Sequence, residues 1–474
     1  MGGSGNKLRG WLPWAALACL VVPMFASYYF DDIFSSISFI FDSAEGNALG
    51  WNQAKYGVYT SAYSVLCIFG GLVLGGILLD KWGVRIAGSF FVVMMAAGAG
   101  LVLFALLTGG KHSLDLAYAG GMFFGLGSEI AGTAVNRSIA KWFKGGSLAL
   151  AMGLQLAIAR LGTAFAMVLA PKLVAQQTGH VYSLVECARP ALAGMGLMVF
   201  GLILWAVFVA IDRKAAEAPS GAFARTGLRS NAEEGASAAD GSARTGLRSN
   251  AEDKDKFVLK DVLGVLGNKN FWLLGLLCVL FYSAIIAFKK FAGAILVPRF
   301  DIPAQTAGWM ISMLPFSTVI FAPLFGLMVD KFGNGTRWMI AGSVLALAAH
   351  LLLAFAPQGV PAFGYLAMVL LGFGYSLVPA ALWPSATKIV PEKVLGTTFA
   401  LLFWVQNLGL FSFKVLAGKI LAAGAGAGES AAAVSVEQMF VGLCVAAVLL
   451  SFIFARTSRL HPELRLDAPS RSSE

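Results

Sequence analysis

Two charges stand where an apolar helix ordinarily has none. Glu129 lies in SEIAGTAVNRSIAKWFKG, behind a long run of apolar residues and glycines, and Arg160 follows in LQLAIARLG. With a rise of about 1.5 Å per residue, both fall near the middle of a bilayer if their segments cross it. An uncompensated charge at that depth costs at least about 2.5–3.5 kcal/mol. Opposite charges on neighbouring antiparallel helices can offset that cost in two ways. They can lock to each other as a structural ion pair. Alternatively they face a cavity, where Glu129 receives an α-ammonium and Arg160 an α-carboxylate. The forked guanidinium suits the second role.

Other polar residues sit at helical spacing around this pair. Asn136 is seven positions past Glu129 and shares its face; Gln155 precedes Arg160 by five. Tyr56, Tyr59 and Tyr63 form one stripe, with Tyr59 and Tyr63 able to hydrogen-bond peptide groups. Tyr28 and Tyr29 either line a cavity or anchor at the interface, and Asp31 and Asp32 are expected at an exposed helix end. Lys289 and Lys290 are adjacent and should point apart, one structural and one toward substrate, with Tyr282, seven residues before Lys289, a further candidate. Tyr375, Trp383, Trp404, Asn407 and Lys414 complete the candidates, with Gln406 turned aside and Pro384 ending or kinking its helix. Packing is the competing reading for every aromatic in this group.

These residues must be carried by membrane helices. The 474-residue chain is 58% hydrophobic and 13% charged, with 55 Gly and 36 Phe; soluble chains carry about a quarter charged residues. Apolar runs long enough to span are expected at 12–36, 54–78, 87–108, 117–138, 147–170 and 189–211, then at 271–296, 304–327, 337–356, 362–384, 396–421 and 437–456. The polar stretch between them, 212–270, repeats ARTGLRSNAE at 224–233 and 243–252 and reads as a duplicated linker, with a short interfacial helix near FVLKDVLGVLG. The expected fold is therefore all-α and polytopic: an N-terminal six-helix bundle (12–211), a linker (212–270) and a C-terminal six-helix bundle (271–456). Of 35 Lys and Arg, only Lys55, Lys111, Lys172, Arg189 and Arg299 fall in the presumed outer loops, which places both termini in the cytoplasm. The basic balance follows from this topology and from contact with anionic lipid. Charges spread over many short loops fit no nucleic-acid surface.

The two halves carry one loop pattern. GILLDKWGVR supplies Gly76, Asp80, Lys81, Gly83 and Arg85; GLMVDKFGNGTR supplies Gly326, Asp330, Lys331 and Gly333, with Arg337 displaced by two. Gly76 is expected to allow close helix contact, Asp80 to accept from a neighbouring helix N-terminus, and Lys81 and Arg85 to lie at lipid headgroups. The pattern, in duplicate, resembles the loop signature of the major facilitator superfamily. WFKG, GLQLAIARLG, GFGYSLVPAALWP, IVPEKVLGTTFA and QNLGL resemble its lysosomal dipeptide transporters and their bacterial relatives. That resemblance implies two bundles rocking about a central cavity, facilitated uniport of dipeptides, and an acidic residue on helix four with an arginine on helix five at the positions of Glu129 and Arg160.

The leading expectation is a dipeptide uniporter acting without a cofactor, as a monomer in a lipid bilayer. An organic-anion carrier using Arg160 with Lys289, Lys290 or Lys414 is the second, and a proton-coupled peptide symporter the third. Neither the five Cys nor the four His form a metal site or disulfide framework, and no catalytic triad or phosphate loop marks an enzyme. The sequons at Asn136 and Asn334 fall on the cytoplasmic side, which favours a bacterial inner membrane over a lysosomal one.

Overall fold

A computed structural model describes residues 4–143, 147–176, 179–217, 259–390, 394–464 and 466–468. Both ARTGLRSNAE copies lie outside these, as do Lys144 and Gly145 of WFKG and 391–393 of the IVPEK stretch. The described residues are almost wholly helical: α1 (Ser4–Asp31), α2 (Gln53–Leu66), α3 (Leu72–Gly83), α4 (Ser89–Thr108), α5 (Ser113–Trp142), α6 (Leu148–Leu173), α7 (Leu184–Glu217), α8 (Leu259–Leu266), α9 (Lys269–Phe300), α10 (Ala304–Phe332), α11 (Gly335–Phe355), α12 (Pro361–Ala386), α13 (Leu395–Gly424) and α14 (Glu429–Leu460). The short α8 falls where the interfacial helix was expected.

Among the described residues, ten helical stretches are long and apolar enough to cross a membrane. One of them, Gln53–Thr108, has 56 residues, which at about 1.5 Å each is far longer than the roughly 30 Å hydrocarbon core. The chain reverses within it at Gly83, whose φ of 71° is readily adopted only by glycine. The ten omit α5, whose Glu129, Asn136 and Arg137 dilute its hydropathy.

Local chemistry sets the helix ends. Asn52 caps α2 by accepting from the Lys55 amide at 3.0 Å, and Asn268 caps α9. Past Asp31 the chain leaves the helix rather than continuing to 36, and forms a 3₁₀ turn at Ser38–Phe41. Asn47 ties this 32–52 segment down, donating to the carbonyls of Ile40 and Trp51. Arg299, expected in an outer loop, is buried: its guanidinium caps the end of α11 at the carbonyls of Leu353, Ala354 and Ala356.

The helices pack as two groups, α1–α7 and α9–α14. Within the second, His350 on α11 and Glu437 on α14 meet at 2.7 Å with no exposure at all, the imidazole flanked by Phe288 and Phe440. Removing either member leaves the other's buried polar atom without its partner, at a cost of about 1–3 kcal/mol.

The groups touch along α2 against α13 and α6 against α10. Small residues let the backbones meet: a methyl built on Gly57 would lie 2.8 Å from the Lys414 carbonyl oxygen, and one on Gly418 would strike the Gln53 carbonyl. Gly293 and Gly308 meet the opposite group's backbone in the same way, at Ser36 and Met167. These contacts all lie toward the end that carries the 32–52 segment.

The repeated loops differ from the expectation in three respects. Among the described residues nothing lies within 4 Å of a Cβ built on Gly76; the tight glycine is its neighbour Gly75, set against Ile130. Asp80 pairs with the Arg137 guanidinium at 2.6 Å, not with a helix N-terminus. Arg85 turns inward to Asp212 at 2.6 Å, because Asp212 is buried and needs the charge, and Lys141 and Trp142 join it there. Lys81, Asp330 and Lys331 are exposed, Gly333 ends α10 with a φ of 63°, and Gly326 has no close neighbour.

Candidate substrate site

Glu129 and Arg160 are both half-buried at mid-helix, and no ion pair joins them. Each is instead held by a tyrosine. Tyr63 on α2 donates to Glu129 Oε1 at 2.9 Å, and the same hydroxyl reaches Ser128 Oγ at 3.3 Å. Arg160 Nη1 donates to Tyr375 Oη on α12 at 3.0 Å, with the guanidinium 5.8 Å from the Tyr28 ring centre and 5.4 Å from that of Tyr375. The first contact lies within the α1–α7 group; the second crosses to the other. Neither hydroxyl is a counter-ion, and Glu129 and Arg160 each retain unused hydrogen-bonding capacity.

The second group adds an aromatic wall. Tyr282 accepts from Trp383 Nε1 at 2.9 Å and meets Tyr375 edge-on at 6.2 Å. Trp383 stacks on Phe403 at 4.9 Å. Trp404 Nε1 crosses to the first group and donates to the Ile68 carbonyl at 2.8 Å. That carbonyl is freed where α2 breaks into α3 through a π turn, with Gly70 at a φ of 88°. Tyr59 packs among Phe34, Trp51 and Tyr56. Asn407 turns its amide back to the Phe403 carbonyl on its own helix, and Asn136 is exposed two turns beyond Glu129.

Lys289 and Lys290 do not point apart. Both converge on Asp32, Lys289 Nζ at 2.7 Å from Oδ2 and Lys290 Nζ at 3.0 Å from Oδ1, and Lys290 also pairs with Asp31 at 2.7 Å. Asp32 is not at an exposed end as expected; only 1% of its side chain reaches solvent. The two lysines make that burial possible, with Thr163 donating to Asp32 at 2.9 Å and Ser35 at 3.0 Å. Tyr56 donates to the Lys290 carbonyl at 2.9 Å. Lys414, buried in the seam between α2 and α13, donates to the Thr60 carbonyl at 3.1 Å and lies 5.7 Å from the Tyr63 ring centre. Thus the charged cluster binds the helix groups together at one end, and the Glu129–Arg160 region lies deeper.

Thr163, one turn from Arg160, escaped the sequence-based site; Tyr375 was among its candidates, but not as the partner of Arg160.

Helices in two groups meeting over a polar midline describe a membrane carrier, and the chain matches the profile described as Major Facilitator Superfamily over residues 17–414. It belongs to that superfamily and is a multi-pass membrane transporter, not an enzyme. It is similar to the lysosomal dipeptide transporter MFSD1 of Bos taurus, 31% identical over 414 residues that cover 85% of this chain and 77% of that one. To MFSD1 of Homo sapiens it is 30% identical with the same coverage. Among solved structures it resembles the nucleoside transporter NupG (TM-score 0.64, 12% identity, 93% of this chain and 98% of the other). It also resembles a bacterial homolog of the human lysosomal transporter Spinster, inward-facing and unoccupied (0.65, 13%, 98% and 99%). At those identities the likeness concerns the fold.

Proposed function

We propose that this chain carries dipeptides across a membrane by alternating access, as a facilitated uniporter. Glu129 binds the α-ammonium and Arg160 the α-carboxylate. One observation carries the reading: the two charges are not spent on each other, and each is steadied by a tyrosine hydroxyl that is not a counter-ion. The similarity to transporters named for dipeptides supports the same substrate class. Tyr63, Tyr282 and Trp383 line the path, with Tyr59, Asn136, Trp404 and Asn407 at its margins. Lys289 and Lys290 contribute to binding only when the bundles part and Asp32 releases them.

In this reading the chain crosses the membrane twelve times, with bundles 12–211 and 271–456 joined by the 212–270 linker and both termini in the cytoplasm. The 32–52 segment then lies on the outer side, and the state described is closed outward. The monomer works in a bacterial inner membrane or, as the names of its relatives suggest, a lysosomal one.

The test is uptake into liposomes of a neutral dipeptide and of the same peptide blocked at either terminus. Blocking either end should abolish competition. Glu129→Gln and Arg160→Ala should each lower flux by at least about tenfold, the equivalent of one lost charge-assisted contact of about 1.5–3 kcal/mol. Indifference to amine blocking would move the assignment to an organic-anion carrier. Uptake that follows an imposed pH gradient would replace uniport with proton coupling.

A further inference from the structure

At the end of the molecule remote from the 32–52 segment, the two halves treat one crevice differently. In the second half it lies between the α10–α11 turn, the end of α12 and the end of α14. The chain's own tail fills it. Leu466 is 2% exposed there. The Asp467 carboxylate accepts from the Thr336 amide and hydroxyl, both at 2.9 Å, and from Ser458 at 2.7 Å. Lys388 donates to the carbonyls of Leu466 and Ala468. An acidic group with an apolar attachment thus closes the site.

In the first half the corresponding crevice lies between the α3–α4 turn, the end of α5 and the end of α7. It is a cavity of about 440 Å³, lined by Trp82, Arg85, Ile86, Arg137, Lys141 and Asp212 among others. Three cations face one buried carboxylate. Arg85 spends Nε and Nη2 on Asp212, Lys141 one hydrogen on Asp212, and Arg137 Nη1 on Asp80. Arg85 Nη1, Arg137 Nε and Nη2 and the remaining Lys141 hydrogens have no partner among the described residues. Trp82 and Ile86 are 49% and 65% exposed at its rim, an apolar approach beside a basic pocket.

We propose that this cavity binds the phosphate of an anionic phospholipid, the Arg85–Arg137–Lys141 donors taking the headgroup and the Trp82–Ile86 rim the start of the acyl chains. The lipid supplies here what Asp467 and Leu466 supply in the other half: an acceptor for free donors and an apolar body against the turn. Basic pockets between transmembrane helices are the usual sites for such headgroups, and phosphate matches the guanidinium fork.

The experiment is native mass spectrometry of the full-length purified chain in micelles holding equal phosphatidylglycerol and phosphatidylcholine. The wild type should retain phosphatidylglycerol preferentially. Arg137→Gln with Lys141→Gln leaves the Arg85–Asp212 pair intact and frees only the exposed Asp80. Each lost charge near an anionic lipid is worth about a factor of five, so the double variant should retain about twenty-five-fold less. Arg337→Gln, on the matching turn of the second half, should change nothing. Inorganic phosphate or glycerol 3-phosphate at matched concentration should not displace the lipid; displacement would make this a free-phosphate site and overturn the lipid assignment. No preference in the wild type, or equal retention in all three proteins, overturns it as well.

Discussion

Asp32→Asn should open the end of the molecule that the 32–52 segment covers. In the closed arrangement Asp32, Lys290 and Lys289 have side-chain exposures of 1%, 2% and 11%. The carboxylate serves both lysines, and Asp31, itself 30% exposed, serves only Lys290. Neutralising Asp32 therefore leaves Lys289 buried without a carboxylate. Removing one partner of a buried pair costs about 3–5 kcal/mol. Lys289 can escape by losing its proton, which at pH 7 costs about 4.6 kcal/mol, some 3.4 units at 1.36 kcal/mol each; this caps the penalty. Once the helix groups separate, water reaches the lysine and the penalty vanishes, so it acts on the closed state alone. The ratio of closed to open molecules should fall by about two to three powers of ten. Spin labels on cysteines at Ala44 and Ala427, exposed on opposite groups, read this as a shift to longer distances in pulsed electron resonance; the five native cysteines are all buried and should label little. Adding Lys289→Met restores charge balance and should restore the short distance. An unchanged distance distribution in Asp32→Asn, or failure of the second change to reverse it, would refute this account of what closes the end.

Two further outcomes follow from the same end of the molecule. Gly418→Ala should block closure, because the added methyl strikes the Gln53 carbonyl; transport should fall by at least about tenfold while the thermal unfolding of each helix group changes little, and unaltered liposome flux would contradict the tight seam. Burial pushes the Asp42 carboxyl well above the usual carboxylate range, against the Gln53 hydrogen bond, with Glu429 adding to the rise. A raised folded-state pKa stabilises below the unfolded value and loses that contribution as pH rises through the folded one. Asp42→Asn should therefore match wild type in melting temperature near about pH 4 and exceed it at pH 8, and a lower melting temperature at pH 8 would contradict the burial argument.

The helical, membrane-spanning character was legible because unbroken apolar runs leave no alternative way to satisfy backbone groups in lipid. Glu129 and Arg160 stood out for the same reason: a charge in such a run must have a partner or a use. Their tyrosines were not legible as partners, since aromatic residues populate apolar helices for packing alone. The Asp32 cluster failed to show for a different reason. Its members lie 257 residues apart, and a carboxylate next to a helix end reads as exposed until the opposing lysines are placed against it. The paired loops were recognisable by spacing, yet one residue of register separates Gly76, where a side chain would meet open space, from Gly75, which is tight. Spacing fixes the turn, whereas the contact depends on which face the neighbouring helix meets. The Asp467 clasp is invisible for the same reason: Ser458 is nine residues away, but Thr336 is 131 residues away.

The break between α2 and α3 carries a consequence for the transport cycle. Carbonyls at a π turn lose their regular partners, and at Ile68 the debt is settled by an indole from the opposite half of the protein. Any motion that draws Trp404 away leaves that oxygen without its indole donor. A new donor must then be found for it, either water or a polar group of the solute being carried. The joint in the helix thereby becomes a place where the passenger can steady the carrier midway through its swing.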